Sequence, residues 1–573
     1  MQNFTRLWQI SPRIPPRADQ VLNQYHPVLR QILYNRGYVT SGQAQSYLEA
    51  QAPDGSDPFS MLGISPAIER LLAAIRQNEP IAIYGDYDVD GVTATALLVT
   101  VLKELGANVT GYIPNRFDEG YGLNNEALDS LHNRGIRLAV TVDCGIRSPE
   151  EARHAHSLNL DLIITDHHQP AGELPFALAI INPKQPGDTY ADKDLAGVGL
   201  AYKLVQGLLT TMRKQGWPIP IGVNYEDTLD LVALGTVADL APLTGENRAL
   251  VRAGLRLMRN PKRQGLIALM AVSGLKRGQV SATDIGFGLG PRLNAAGRLD
   301  TALDALALLT TDDLQVVGRI AQQLEDQNTK RQKITRDIQA QAEQIALADG
   351  DNPYLLFAAN EDFNPGVVGL AASHLVEQYY RPAIVAKKGK ETTRGSCRSI
   401  PEFHITEALD QCADLLVHHG GHAAAAGFTV RTDNLAELKQ RLQSIAYHQL
   451  SDLDLRPTLT ADAEVKLSDL DNHLLRALDA LQPTGYGNPQ ALFFTRELEV
   501  KYAKKVGKEG AHLKLSVTDG RLVMDAIAFK LADRLEGNPP KVDLMYTFEL
   551  NEYNGRQSFQ LNVRDLKASG TDD

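Results

Sequence analysis

Cysteine is scarce in this chain: 573 residues carry three, Cys144, Cys397 and Cys412, with no CxxC pair. That excludes a disulfide framework and a zinc knuckle, and it leaves an apolar core as the source of stability. Long apolar runs are missing too, and the opening Met1-Gln-Asn-Phe-Thr-Arg-Leu-Trp has no signal-peptide layout, so a cytoplasmic location is expected. There is no basic excess: 58 Lys and Arg face 69 Asp and Glu, a net charge of −11. Non-specific nucleic-acid binders are usually basic, so binding of that kind would need a local basic groove. What remains is an ordinary globular composition, 43% hydrophobic and 22% charged. The length calls for roughly three or four domains.

Chemistry gathers first at 81–91. Ile81-Ala-Ile-Tyr84 reads as a short buried strand, Gly85 ends it, and Asp86, Asp88 and Asp90 follow at alternate positions. Gly91 releases the chain into 92–105, which has no Pro or Gly and reads as a largely buried helix. Strand, acidic loop and helix is the layout by which an open parallel sheet presents ligands beyond the carboxyl ends of its strands. Three carboxylates this close repel one another and hold protons unless a cation neutralises them. Oxygen ligands suit Mg²⁺ or Mn²⁺. Taken alone, the loop is equally well explained as a solvated acidic turn.

Strand alternates with helix from 61 to about 245, the pattern of a parallel sheet. Strands are expected at 81–84, 108–113, 138–142, 161–165 and 178–181, and helices at 92–105, 124–134, 148–157 and 197–212. The strand 138–142 runs into Asp143, 161–165 runs into Asp166-His167-His168, and the apolar run 229–237 ends at Ala238-Asp239. A single Asp after a strand is ordinarily a turn former or a helix cap. Four such clusters converging on one sheet edge, one with a His pair and none with Cys, suit two Mn²⁺ or Mg²⁺ ions about 3.5–4 Å apart, the arrangement used for phosphoryl hydrolysis. Gly197-Val-Gly199 opens a helix, where its glycines serve either a phosphate or close helix packing.

Elsewhere the sequence sets out supporting parts. Residues 1–60 are Pro- and Gln-rich, then helical in pattern, and are expected to cap the main domain. From 313 to 348 there is no proline, and Val317, Ile320, Leu324, Ile334, Ile338 and Ile345 recur at helical spacing, an amphipathic connecting helix. A second α/β unit follows over 350–450. From about 456 short alternating strands are expected at 498–502, 512–517, 524–529, 543–550 and 557–563, a small OB-like barrel. Lys501, Lys504, Lys505, Lys508 and Lys514 surround Tyr502 there, the mix of charge and stacking that grips single strands. The tail after Val563 is expected to be disordered.

Asp86-Tyr-Asp-Val-Asp-Gly91, Val142-Asp-Cys-Gly145, Asp166-His-His168 and Gly235-Thr-Val-Ala-Asp239 resemble, in order, the four motifs of the DHH phosphoesterase superfamily. Pro291-Arg-Leu-Asn-Ala-Ala-Gly-Arg-Leu299 and Gly420-Gly-His-Ala-Ala-Ala-Ala-Gly427 resemble motifs of its RecJ branch and of the DHHA1 domain. The resemblance covers nearly everything from about 60 to 570. It implies an α/β fold: an N-terminal helical cap (1–60), a parallel-sheet DHH catalytic domain (61–312), a long connecting helix (313–348), a second α/β DHHA1 domain that binds substrate (349–452) and an all-β, OB-fold-like DNA-binding barrel (453–573).

The same resemblance implies a 5′→3′ exonuclease that degrades single-stranded DNA to 5′ mononucleotides in repair and recombination, using two Mn²⁺ or Mg²⁺ ions. It brings a single-strand-binding protein and a helicase as candidate partners, no membrane, and a monomeric chain. One metal would be held by Asp90, Asp143, His167 and Asp239, the other by Asp88 with Asp143 bridging. Relatives outside the branch often place a His four positions before Asp88; this chain has Tyr84, so Asp86 and water would complete the second site. His168 would face the scissile phosphate, and Arg116 would clamp the terminal 5′-phosphate. Arg292 and Arg298 would reach the DNA backbone, as would Asn328 and Arg331, while Ser396, Arg398, Gly421 and His422 would line the pocket for the 5′ end. RecJ-like chains usually carry Trp-His where this one has Phe363-Asn364. Two other readings compete: a DHH phosphodiesterase on short oligonucleotides or cyclic dinucleotides, which would leave the barrel unexplained, and a scaffold with an eroded metal site, against which all five ligand positions are intact.

Overall fold

The structure, a computed structural model, describes residues 5–115, 122–299, 301–348, 354–535, 539–553 and 555–570. The chain forms two compact units, one of residues 45–329 with 481–490, the other of 1–44, 330–480 and 491–573.

The first unit is built on a five-stranded parallel sheet, in spatial order Val109–Tyr112, Ile81–Gly85, Leu138–Val142, Asp161–Thr165, Ala179–Ile181. Ile81, Ile83, Val140 and Val142 pack into one apolar layer and Ala82, Tyr84, Ala139 and Ile164 into another. Burial on both faces is why these strands read as continuous apolar runs rather than alternating ones. The first strand sits inside the sheet; the chain goes outward to its neighbour 109–112, then returns to the other side at 138–142. The order therefore reverses between the first strand and 138–142, the place where an open α/β sheet leaves a crevice at its carboxyl edge.

Helices Val89–Glu104 and Gly197–Lys214 are buried along most of their length against the sheet. The apolar run 229–237, left without assignment to strand or helix by the sequence, is the helix Leu229–Ala238, with Asp239 at its C-cap. A uniformly apolar stretch has no periodicity to separate a fully buried helix from a buried strand. The segment 481–490 is pinned to this unit by Arg248, fully buried, which stacks on Tyr47 at 4.3 Å and donates to the carbonyls of Leu481 (2.7 Å) and Pro483 (3.1 Å).

A single helix, Leu314–Ala348, runs for 35 residues, about 52 Å at 1.5 Å per residue. Beyond it the second unit carries a mixed sheet in the order Leu416–His422, Ala425–Arg431, Thr392–Arg398, Ala383–Lys387, Leu356–Asn360. It also carries a barrel in which Phe493–Val506 pairs with both His512–Thr518 and Lys541–Tyr553, so that five strands close on themselves. Two expectations change here. Residues 1–44, expected as part of a cap on the parallel-sheet domain, are grouped with the second unit, where Leu7–Ile10 pairs in parallel with Thr458–Ala461. Residues 564–570 of the tail expected to be disordered are ordered, because the strand Arg556–Ala568 continues its ladder as far as Ala568 opposite Val542. Among the described residues no helix is long and apolar enough to cross a membrane.

Candidate metal centre and phosphate-facing surfaces

The loops at the carboxyl edge of the parallel sheet bring the acidic motifs together. Asp86, Asp88 and Asp90 follow the first strand, Asp143 follows 138–142, Asp166, His167 and His168 follow 161–165, and Asp239 arrives from the buried helix. Ligand atoms of Asp90, His167 and Asp239 lie within 4.8 Å of one another, as do those of Asp86, Asp88 and Asp143, and those of Asp143, His167 and His168. His167 Nε2 is 3.1 Å from Asp143 Oδ1, 3.7 Å from Asp239 Oδ2 and 3.9 Å from Asp90 Oδ2.

Local geometry holds these groups in place. Asp143 takes a left-handed backbone, φ 62°, strained for a residue with a side chain, while its N–H still donates to Thr165 O at 3.0 Å. Asp88 caps its helix, accepting from the N–H groups of Asp90 (2.9 Å) and Gly91 (3.1 Å). Asp90 is wholly buried and accepts two N–H groups from the start of the helix Gly197–Lys214, Gly197 at 2.6 Å and Val198 at 2.8 Å. Of the two uses the sequence left open for this helix start, a phosphate cradle or close packing, its amides are spent on Asp90 and its glycine on close approach. Gly197 is obligatory for closeness: a Cβ there would lie 2.7 Å from Asp143 Cβ and 3.0 Å from Asp90 Oδ2.

The electrostatics are those of a cation site. Burial and the neighbouring carboxylates push Asp90 up to about 7 and Asp239 up to about 9, and hold Asp143 well above the usual carboxylate range. Burial, then the charge of His168, lowers His167 to about 3, so its imidazole is neutral and able to ligate. Asp143 Oδ1 and His167 Nε2 are buried and make no hydrogen bond. Buried donors and acceptors are rarely left so, and a divalent cation satisfies both. Oxygen-rich ligands with a single imidazole and no sulfur fit Mn²⁺ or Mg²⁺.

His168 behaves differently from its neighbour. Its Nδ1 lies 2.8 Å from Asp166 Oδ1, which also accepts its backbone N–H at 3.0 Å. Burial lowers the imidazole, but the bond and charge of Asp166 outweigh it and raise His168 above its ordinary value; burial likewise raises Asp166, and His168 outweighs it to hold that carboxyl low. Asp166 Oδ2 is anchored by the N–H of Ile146 at 3.0 Å. Sequence analysis assigns no separate role to Asp166, though its place before a His pair is a usable signal. Tyr84 is wholly buried, stacks on Tyr112 at 5.1 Å and donates to Gly122 O at 2.9 Å. It belongs to the scaffold, and Asp86 fills out the second carboxylate triad.

The remaining expected positions divide. Arg116 lies outside the described residues. Arg292 is engaged within its own unit, donating from Nε to Glu325 and from Nη1 to Gly288 O at 2.8 Å, and its side chain is 14% exposed. Those bonds tie the helix Gly290–Leu299 to the long helix. Arg298 is half-buried on the same helix, and Asn328 is buried outright. In the second unit, Arg398 stands opposite Ala425, which stands opposite His422, and Ser396 stands opposite Gly427, which stands opposite Gly420. Residues in register across a sheet share a face, so Ser396, Arg398 and His422 look out over a floor of small residues. Arg398 donates to Ser396 Oγ at 3.1 Å, and a Cβ on Gly369 would lie 3.0 Å from that same oxygen. Gly421, at φ 151°, lets the strand turn where any side chain would meet Ala425 O at 2.4 Å. Asn364 accepts from Gly366 N–H at 2.8 Å and so forms a turn before the helix Val368–Tyr379, while Phe363 is buried in the core.

A cluster of buried carboxylates with one neutral imidazole, at the switch point of a parallel sheet, defines a metal-dependent hydrolase of phosphate esters. Residues 80–236 match the DHH family N-terminal domain, 351–447 the DHHA1 domain and 461–565 the RecJ OB domain. The single-stranded-DNA-specific exonuclease RecJ of Bacillus subtilis is 37% identical over 98% of this chain and 71% of its own length, and that of Salmonella typhimurium is 36% identical over 94% and 96%. The chain belongs to the RecJ family. The structure of RecJ from Thermus thermophilus in complex with Mn²⁺ superposes with a TM-score of 0.84 at 29% identity, covering 99% of this chain and 80% of that one.

Proposed function

We propose that this chain is a metal-dependent 5′→3′ exonuclease that releases 5′ mononucleotides from single-stranded DNA in repair and recombination. The observation that carries the proposal is the pair of ligand triads, Asp90–His167–Asp239 and Asp86–Asp88–Asp143, meeting at Asp143 within 3.1 Å of His167. Bound there, Mn²⁺ or Mg²⁺ would polarise the phosphodiester and acidify a water to near neutrality. Asp90, Asp143, His167 and Asp239 would hold one ion, and Asp86, Asp88 and Asp143 the other. The helix start at Gly197 and Val198 fixes Asp90, which keeps the first ligand set from rotating. His168, whose imidazolium form Asp166 favours, would donate from its ring to a non-bridging phosphate oxygen and offset charge as it builds. Arg398, Ser396, Gly421 and His422 take the phosphates of the 5′ end, the fork of Arg398 suiting bidentate contact.

By this reading 61–312 is the catalytic domain, 313–348 the connector, 349–452 the part that holds the strand end and 453–573 the part that binds the strand. The matches to the DHH, DHHA1 and RecJ OB domains support that division. The reading includes cytoplasmic action as a monomer, beside a single-strand-binding protein that coats the substrate and a helicase that exposes it.

The test uses purified protein, Mn²⁺ and an end-labelled single strand beside its duplex, its 3′-blocked form and a dinucleotide. The expected outcome is release of 5′ mononucleotides from the single strand whether or not the 3′ end is blocked. Turnover of the dinucleotide alone would replace the proposal with a small-substrate phosphodiesterase.

A further inference from the structure

A cavity of about 250 Å³ lies in the second unit between the helix Val368–Tyr379, the segment 529–531 and the strand Arg556–Ala568. None of the metal-cluster residues borders it. Its lining is cationic: Arg6, Lys530 and Arg564 stand against one acid, Glu377, among the described residues. Burial, together with the charges of Arg534 and Arg564, lowers Arg6 from its ordinary value despite the opposing pull of Asp565. Arg6 Nη1 donates to Arg564 O at 2.6 Å, and the excess of positive charge around the hollow favours an anion.

Three further features point to what that anion carries. Phe529 is 53% exposed at the rim, braced edge-on by His512 at 5.3 Å, a flat apolar face left open to solvent. Lys530 has a left-handed backbone, φ 59°, and its N–H is tied to His512 Nδ1 at 3.1 Å. Non-glycine residues hold that conformation at a cost of about 1–3 kcal/mol, characteristically where a ligand is clamped. Asn562 gives its amide N–H to Glu549 while its Oδ1 is buried with no hydrogen bond. An open ring face, a knot of cations and an unused acceptor together describe a planar heterocycle joined to a phosphate. The volume is slightly below the usual range for small-ligand pockets, about 300–1,000 Å³.

We propose that this cavity is a binding site for a nucleoside 5′-monophosphate, with the phosphate among Arg6, Lys530 and Arg564, the base on Phe529 and a ligand donor on Asn562 Oδ1. The site needs no metal. That its ligand is also the product class of the hydrolysis rests on the function proposed above; the binding itself does not.

Calorimetric titration of the full chain in EDTA, with AMP, dTMP, adenosine and inorganic phosphate, tests this. The nucleotides should bind, and phosphate and adenosine should each bind at least about tenfold more weakly, a difference of ~1.4 kcal/mol. Phe529→Ala and Lys530→Gln, both at exposed positions, should each weaken nucleotide binding about fivefold or more. Equal affinity in wild type and variants would overturn the proposal, as would binding that appears only with Mn²⁺, or phosphate that binds as tightly as nucleotide. Nucleotide binding in EDTA by a protein that hydrolyses no strand would remove the proposed function and leave this site standing.

Discussion

Asp143 concentrates the chemistry of the site at a single residue. It stands at the meeting of the two triads, and its left-handed backbone is held by the strand bond to Thr165. Replacing it with Ala removes a ligand from both proposed ions, so Asp143→Ala should abolish cleavage, a loss of at least about 10³-fold, while the variant still binds single strands in a filter or anisotropy assay. Turnover in that variant would exclude a shared carboxylate. Tyr84 is the converse case. Tyr84→Phe loses the bond to Gly122 O and the one accepted from Asn124 Nδ2, and should cost about 1–2 kcal/mol in urea unfolding with Mn²⁺ affinity unchanged; a weakened affinity would mean that the phenol belongs to the metal site after all. The raised carboxyls set a pH dependence. Asp90, Asp143 and Asp239 hold protons in the metal-free fold that the unfolded chain gives up near pH 4. Their protonation therefore stabilises the fold below that pH, and the benefit is lost as pH rises through about 7 for Asp90 and about 9 for Asp239. Mn²⁺ displaces those protons, so the rise in Tm on adding Mn²⁺ should be greater at about pH 8.5 than at about pH 6. Equal shifts at both would show that the cluster binds no metal.

At the scale of the element, the start of the helix Gly197–Lys214 acts on Asp90 through two backbone N–H groups. Helix N-termini favour negative charge, so the helix orients the carboxylate and partly offsets its burial. Gly197→Ala would drive a methyl against Asp143 and Asp90. Overpacking of this kind costs about 1–3 kcal/mol, and Mn²⁺ affinity, measured by titration, should fall with it; an unchanged affinity would mean that the helix start can move without the ligands following. The segment 481–490 depends on Arg248 in a similar way. Arg248→Ala removes three hydrogen bonds, to the carbonyls of Tyr47, Leu481 and Pro483, which keep donors from Ala50 N–H and Asn488 Nδ2. At about 0.5–1.5 kcal/mol for each bond lost, a fall of about 2–4 kcal/mol in urea unfolding is expected.

At the scale of the whole molecule, strand binding is expected on the barrel face where Lys504 stands directly opposite Lys514, beside Tyr502, which is 49% exposed. Like charges in register weaken a sheet, and a bound phosphate backbone relieves that repulsion. The original strip divides here, because Lys501 and Lys505 are paired with Glu499 and Asp533. The triple variant Tyr502→Ala, Lys504→Ala, Lys514→Ala should weaken binding of long single strands about tenfold or more while turnover of very short oligonucleotides stays within a factor of about two. Equal loss on both substrates would remove the barrel from strand binding. Point variants are preferable to truncation at 456, since Thr458–Ala461 pairs with Leu7–Ile10 and its removal would strip the N-terminal strand.

The sequence by itself determined the parallel sheet, the long helix, the barrel and the acidic and imidazole residues that the structure gathers at the sheet edge, because each is written locally. Apolar strands end in Asp or His, a helical period runs through 314–348, and period-two strands are divided by Gly-rich turns. What only the tertiary structure decided involves contacts between residues distant in the chain. The run 229–237 has no period, and its helical form follows from burial on every side. That Gly197 and Val198 serve Asp90 rather than a phosphate depends on residues more than a hundred positions apart. The same holds for Arg292 turning to Glu325, and for residues 1–44 pairing with the far end of the chain. Local pattern reports which residues carry chemistry; which partner each one meets is settled by packing.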